Sequence, residues 1–92
     1  MVAAGRRDAE EVGRKLRPFW REERITRWPA RAGIRRLLLE EAVRVLPVGR
    51  RMPESEIDTR LAAIWPDYCL LRRALVDGEL LNRKDGIYWR VG

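Results

Sequence analysis

The chain contains no histidine. This removes the side chain most often used for proton transfer near neutral pH. It also leaves zinc with one thiolate and carboxylates, a donor set that makes no ordinary structural site. Paired carboxylates remain as an acid–base device, but no such pair lies in an apolar segment that would raise a pKa. The residues point away from an enzyme, and neither a cofactor nor a metal is expected. Cysteine occurs once, as Cys69, which excludes an internal disulfide and fits a reducing compartment. No apolar run approaches the ~20 residues of a membrane span, and the segment Met1–Arg7 lacks the apolar stretch of a secretory signal. A cytoplasmic location without a membrane partner is the expectation. Lysine is nearly absent too: of 20 basic residues 18 are arginine.

What is present is one domain's length of chain, 92 residues, with 46% apolar and 37% charged residues. That composition suits a small folded core under a heavily charged surface. The net charge of +6 is unevenly placed. Residues 1–36 carry 11 basic and 5 acidic side chains, while residues 37–92 carry 9 of each. Any long-range field arises in the first third of the chain.

Periodicity divides the chain. Residues 7–17 read as a mixed-charge helix with Ala9, Val12 and Leu16 on one side. Pro18 interrupts it or opens a second short helix over 18–25 that carries Phe19 and Trp20. Trp28-Pro29 marks a boundary, because the residue before a proline is pushed out of helical geometry. Residues 30–46 give the strongest helical signal, with Ile34, Leu37, Leu38, Glu41, Ala42 and Val45 on one stripe. Pro47 and Gly49 stop it, and the connector Gly49-Arg50-Arg51-Met52 leads to Pro53 as the first residue of the next helix. Ile57, Leu61 and Ile64 form that helix's buried stripe, and Trp65-Pro66 ends it. A third helix runs over 67–77, capped by Asp67 and closed by Gly78. Its inner side carries Leu71, Ala74 and Leu75; Cys69, Arg73 and Val76 point outward, with Arg72 on the flank. The end of the chain flanks Asp85-Gly86, the dipeptide suited to a type I′ turn, and reads as a β-hairpin with Arg83 facing Tyr88 and Asn82 facing Trp89.

The expected fold is therefore mainly α with a small β-hairpin. Two short helices joined by a tight turn form a helix-turn-helix, and the hairpin would be its wing. The expected division is an N-terminal helical extension over 1–29 and a winged-helix domain over 30–92.

Residues 19–90 resemble the bacterial family named domain of unknown function 2087. The resemblance rests on Arg24-Ile25 with Trp28-Pro29, Arg35-Arg36 at the entry to the long helix, and the stretch Glu54 to Asp58. Most specific are the run Asp67 to Gly78, including Leu71-Arg72-Arg73-Ala74-Leu75-Val76-Asp77, then Leu81-Asn82-Arg83 and Gly86-Ile87-Tyr88. It implies a winged-helix-like fold of the kind attached to helix-turn-helix regulators, and no established activity. The chain departs from the family where an aromatic and a Ser/Thr normally precede the second helix as part of a capping box: Met52 and Pro53 stand there, and only Glu56 of that box remains. Asp58 replaces the family's asparagine. Both changes weaken the case for the connector as a contact surface.

The candidate contacts are basic. Arg72 and Arg73 lie where a recognition helix enters the major groove, and arginine bonds guanine bidentately. Against this, Arg72 lies close to the buried stripe and has Glu56, Asp58 or Asp67 as structural partners. Arg73 points outward, but surface arginines mostly solvate a face, and Asp77 on the same side would repel phosphate. Arg83 and Lys84 at the hairpin tip suit a phosphate backbone, although a hairpin turn needs polar residues in any case. Arg35 and Arg36 join Arg14, Lys15, Arg17, Arg21, Arg24, Arg27 and Arg31 in the main basic concentration. Its bland reading is a helix held by i, i+4 pairs such as Glu10–Arg14 and Glu11–Lys15. Trp28 and Trp65 are expected in the core rather than in base stacking, and Cys69 has no activating base. Nucleic-acid binding, to double-stranded DNA in transcription regulation, is the first expectation. A protein-interaction module, pairing through the front segment with a second copy or another partner, is the alternative.

Overall fold

The structure, a computed structural model, describes residues 2–91, and the side chains of residues 9–91. Arg6 and Arg7 of the basic front segment lie outside the described side chains. The chain runs α1 (Val2–Leu16), β1 (Trp20–Arg21), β2 (Arg24–Ile25), α2 (Ala32–Val43), β3 (Met52–Pro53), α3 (Glu54–Ala62), α4 (Tyr68–Asp77), β4 (Leu81–Lys84) and β5 (Ile87–Arg90). The fold of the described residues is mixed: four helices with a two-stranded sheet β1-β2 and a three-stranded antiparallel sheet in the order β3-β5-β4. Among the described residues, no helix is long and apolar enough to cross a membrane.

One core collects Leu38, Ala42, Ile57, Leu61, Leu71 and Leu75 from the helices, with Met52, Leu81 and Tyr88 from the sheet, all at most 1% exposed. Leu16 and Ile25 from the front segment are buried in the same cluster. The stripe of Ile57 and Leu61 on α3, continued by Ile64 just past its end, is buried as the periodicity predicts. In α2 the stripe is wider and rotated: Leu38, Leu39, Ala42 and Val43 are buried, while Ile34, Leu37 and Val45 are only half-buried against the cluster. The cause is that α2 packs on α1 as well as on α4, so two sides of it are covered.

Two segments differ from the expectation. Residues 18–25 form no helix. They make a tight hairpin in which Trp20 pairs with Ile25 and Arg21 with Arg24, and Glu22 and Glu23 take φ of 53° and 59° in the turn. Two positive φ values suit the right-handed twist of a hairpin but cost a side-chain-bearing residue free energy. Offsetting contacts come from elsewhere: the Ile25 amide donates to the Ile64 carbonyl at 2.9 Å, and the Thr26 amide to the Phe19 carbonyl at 2.8 Å. The second difference is at Met52-Pro53, which is not the first helical turn but the edge strand β3, pairing with Tyr88 and Ile87. Proline is tolerated on an edge strand because no ladder hydrogen bond is needed from it on the open side. The Glu54 amide then donates to the Gly86 carbonyl at 3.1 Å, tying the start of α3 to the β4-β5 turn.

The helix-to-helix junction follows the sequence closely. Trp65-Pro66 ends α3, and Trp65 stacks on Trp28 with centroids 6.0 Å apart and planes inclined by 29°. Asp67 caps α4 by accepting from the Leu70 amide at 3.2 Å. Loss of this cap in Asp67→Ala is expected to destabilise the protein by about 1 kcal/mol. Thermal unfolding followed by circular dichroism should show it as a fall in Tm of about 4–8 °C. At the other end of α4 the left-handed residue is Glu79, with φ of 60°. Space at Gly78 is tight: a Cβ there would lie 3.0 Å from the guanidinium of Arg36 and 3.2 Å from the Ala74 carbonyl. The β4-β5 hairpin has the expected register, Arg83 opposite Tyr88 and Asn82 opposite Trp89, with Asp85 and Gly86 at φ of 53° and 78° in its turn.

Candidate nucleic-acid interface

Helix α4 is fixed from three sides: by its cap, by Leu71 and Leu75 in the core, and by the carbonyl of Gly78, which accepts from Arg36. Its remaining face is exposed at Cys69, Arg73 and Asp77. The β4-β5 hairpin rises beside that face because Leu81 and Tyr88 are drawn into the core below it. Between the helix and the hairpin lies a groove of about 190 Å³, lined by Arg72, Arg73, Asp77 and Cys69 from α4 and by Arg83 and Tyr88 from the sheet. Three of the six candidate residues thus converge on one groove. Lys84 is exposed at the end of β4. No described residue of the front segment lines this groove, and α1 packs on α2.

The arginines of the groove are not equivalent. Arg72 donates to the Asp58 carboxylate of α3, has Glu54 Oε1 at 3.8 Å, and places its guanidinium 5.8 Å from the Tyr88 ring centroid. The Tyr88 hydroxyl in turn donates to Glu54 Oε1 at 2.9 Å. The hydrogen bond to Asp58, and behind it the nearby charges of Asp58 and Glu54, raise the Arg72 pKa above its ordinary value against the opposing effect of burial. A raised arginine pKa keeps the cation, and its contribution to stability, intact at every pH below the ordinary arginine value. Of the three structural partners the spacing offers Arg72, the fold selects Asp58. Glu56 instead binds Arg50 at 2.8 Å and Arg60 at 3.0 Å. Arg73 and Arg83 make no ion pair among the described residues.

Arg35 and Arg36 lie away from the groove's floor. Arg35 donates to the carbonyls of Pro29 and Ala30 at 3.3 and 2.8 Å, so it holds the boundary segment. Arg36 pairs with Glu40 at 3.0 Å and donates to Gly78. Both guanidiniums are engaged in joining segments of the fold. The connector, a weak contact surface by its sequence, contributes one feature that periodicity does not reveal: Arg51 lies 4.2 Å above the Trp89 ring on the outer side of the sheet.

The front segment carries the largest group of unpaired cations among the described residues. The Glu10–Arg14 and Glu11–Lys15 pairs that the spacing suggests are not formed, and among the described residues Arg14, Lys15, Arg17, Arg21, Arg24, Arg27 and Arg31 make no ion pair. All seven are exposed. Among the described residues, no three of His, Cys, Asp and Glu gather closely enough to hold a metal ion.

Residues 24–90 match the family model described as "Uncharacterized protein conserved in bacteria (DUF2087)". No curated protein and no solved structure matches the chain.

Proposed function

The chain belongs to the bacterial family of uncharacterized proteins DUF2087, and from the geometry of its groove we propose a non-catalytic winged helix that binds double-stranded DNA. The order α2-β3-α3-α4-β4-β5 with sheet order β3-β5-β4 supports the winged-helix reading, with α4 as the recognition helix and β4-β5 as the wing. The DNA-contacting unit in this reading is residues 30–92, with residues 1–29 as an N-terminal extension whose Leu16 and Ile25 join the same core. The observation that carries the reading is the convergence of Arg72, Arg73 and Arg83 on one open groove between helix and wing. Arg73 reaches into the groove of the duplex, and Arg83 and Lys84 meet its phosphates. Transcription regulation is the setting that such a reader serves.

Asp77 lines the same groove, and Asp58 neutralises Arg72. Those two carboxylates favour a second reading, in which the groove receives a protein segment of mixed charge. Fluorescence anisotropy with a labelled random-sequence duplex, titrated across salt, separates the two. For the DNA reading, Arg73→Ala/Arg83→Ala is expected to weaken duplex binding about tenfold and to reduce the salt slope by about 1, for the phosphate left without Arg83. Absence of duplex binding at low salt, or binding unchanged by the double substitution, would sink it in favour of the protein reading.

A further inference from the structure

A second cleft lies away from α4 and its wing, where the β1-β2 hairpin meets the start of α2. It is about 240 Å³ and is lined by Phe19, Arg27, Trp28, Pro29, Arg31 and Ile34. We infer that this cleft takes one unstacked base of a single-stranded nucleic acid, with the flanking phosphates on the front-segment arginines. The inference does not depend on the groove at α4 binding duplex.

The size and the chemistry of the walls both bear on the occupant. Pockets for drug-sized ligands run to about 300–1,000 Å³, so this cleft suits a single ring system rather than a larger molecule. Two aromatic side chains, Phe19 and Trp28, stand among its walls, together with two guanidiniums and no carboxylate. A ligand matched to such walls has a flat apolar body and negative charge beside it, which is the chemistry of a base on its phosphate backbone. The Arg27 guanidinium lies 5.9 Å from the Phe19 centroid, a loose approach that leaves the ring face partly open.

The walls are also held in place before any ligand arrives. The Thr26 amide donates to the Phe19 carbonyl at 2.8 Å, and the Thr26 hydroxyl to the Pro18 carbonyl at 3.1 Å, so Phe19 and Arg27 are fixed side by side. Arg35 clamps the carbonyls of Pro29 and Ala30, which sets the floor. The charge continues beyond the cleft. Trp28 stacks on Trp65, and Trp65 lines the adjoining cleft with Arg21 and Arg24. A strand long enough to span both clefts would meet a second pair of exposed guanidiniums that have no ion-pair partner among the described residues. A single acidic side chain, Glu22, lines that second cleft. Single-strand binders combine these two elements: aromatic faces for bases and a cationic track for the backbone.

The test uses the full chain and a fluorescein-labelled oligothymidylate of about twelve nucleotides, within the range of site sizes such surfaces hold. The probe is compared with an abasic strand of equal length and charge and with free thymidine monophosphate. Anisotropy should show salt-dependent binding of the oligothymidylate, and binding of the abasic strand weaker by about tenfold, the usual worth of one stacked base. Arg27→Ala/Arg31→Ala, both exposed positions, should weaken the oligothymidylate by about tenfold and leave duplex binding unchanged. Phe19→Leu, which keeps an apolar plug for the core, should erase the difference between the thymidylate and abasic strands. Circular dichroism of each variant checks that it is folded. Equal affinity for the abasic strand would overturn the inference, because charge alone would then account for binding. So would indifference to Arg27→Ala/Arg31→Ala, or competition by thymidine monophosphate at the concentration of the strand. Loss of duplex binding in Arg73→Ala/Arg83→Ala with oligothymidylate binding retained supports both sites. Failure of any duplex to bind, with the strand still bound, removes only the groove reading.

Discussion

Tyr88→Ala is expected to lower the stability of this protein by about 3–5 kcal/mol, the usual cost of truncating a fully buried aromatic side chain. Tyr88 is 1% exposed and is the largest of the fully buried side chains. It pairs with Met52 on one side and Arg83 on the other, in the central strand of the three-stranded sheet. Its ring lies beneath Arg72, and its hydroxyl donates to Glu54 at the first turn of α3. A single side chain thereby joins β3, α3, α4 and the hairpin. A small domain has only about 5–15 kcal/mol to lose, so the Tm should fall by about 12–40 °C. Tyr88→Phe separates the two parts of the effect. It keeps the ring and loses one hydrogen bond to a half-exposed carboxylate, for an expected cost of about 1 kcal/mol. Urea denaturation of both variants measures the difference. A cost for Tyr88→Ala no larger than that for Tyr88→Phe would mean that the ring is not what holds the hairpin against α4.

The parts of this fold that are legible along the chain are those whose signals are local. Asp85-Gly86 supplies two residues able to take positive φ, so the β4-β5 register follows from the turn alone. Asp67 directly after Trp65-Pro66 announces both the end of one helix and the cap of the next. The β1-β2 hairpin gives no such notice, because its turn is built from Glu22 and Glu23, residues that disfavour the conformation they hold. It exists because Ile25 reaches the core and bonds to Ile64 beyond the end of α3, a partner far along the chain. Strand β3 is hidden for a similar reason: Met52-Pro53 is too short for a period and its proline suggests a helix start, while its pairing is with β5 near the other end of the chain.

The candidate site divides along the same line. That Arg73 faces outward and that Arg83 opposes Tyr88 are consequences of helical and strand periods, and both can be read from spacing. The convergence of α4 and the hairpin on one groove depends on how Leu75, Leu81 and Tyr88 pack together, which no local pattern encodes. The choice of Asp58 over Glu56 as the partner of Arg72 depends on the α3–α4 crossing. Glu56 and Asp58 are two residues apart, so they point to different sides of α3, and only one of them faces α4. The cleft at Phe19 and Arg27 is invisible to periodicity, because a helix over 18–25 would put Phe19 at its start and leave Arg27 beyond its far end.

Asp58→Asn is expected to weaken the fold and, where the groove binds duplex, to strengthen that binding. Arg72 and Asp58 are 21% and 26% exposed, which places the pair between a surface bridge of little worth and a buried one whose loss strands a charge. Replacing the carboxylate by an amide keeps the shape and a weaker acceptor, so the expected cost is about 1–3 kcal/mol. An arginine keeps its proton far above neutrality even without an acidic partner, so the guanidinium stays charged in the variant as in the parent throughout the physiological range. Losing Asp58 leaves the cation at the groove with only the more distant Glu54 carboxylate, 3.8 Å away. A duplex phosphate can then take the place of the missing carboxylate. Anisotropy across salt should show the slope steeper by about 1, the signature of one further phosphate neutralised, with affinity at low salt raised several-fold. Asp77→Asn, on an exposed face of the same groove, should raise duplex affinity with little change in stability, because it removes a repulsion without breaking an ion pair. If Asp58→Asn lowers the Tm while the duplex affinity and salt slope stay fixed, Arg72 is a structural strut between α3 and α4. The groove's cationic work would then belong to Arg73 and Arg83 alone.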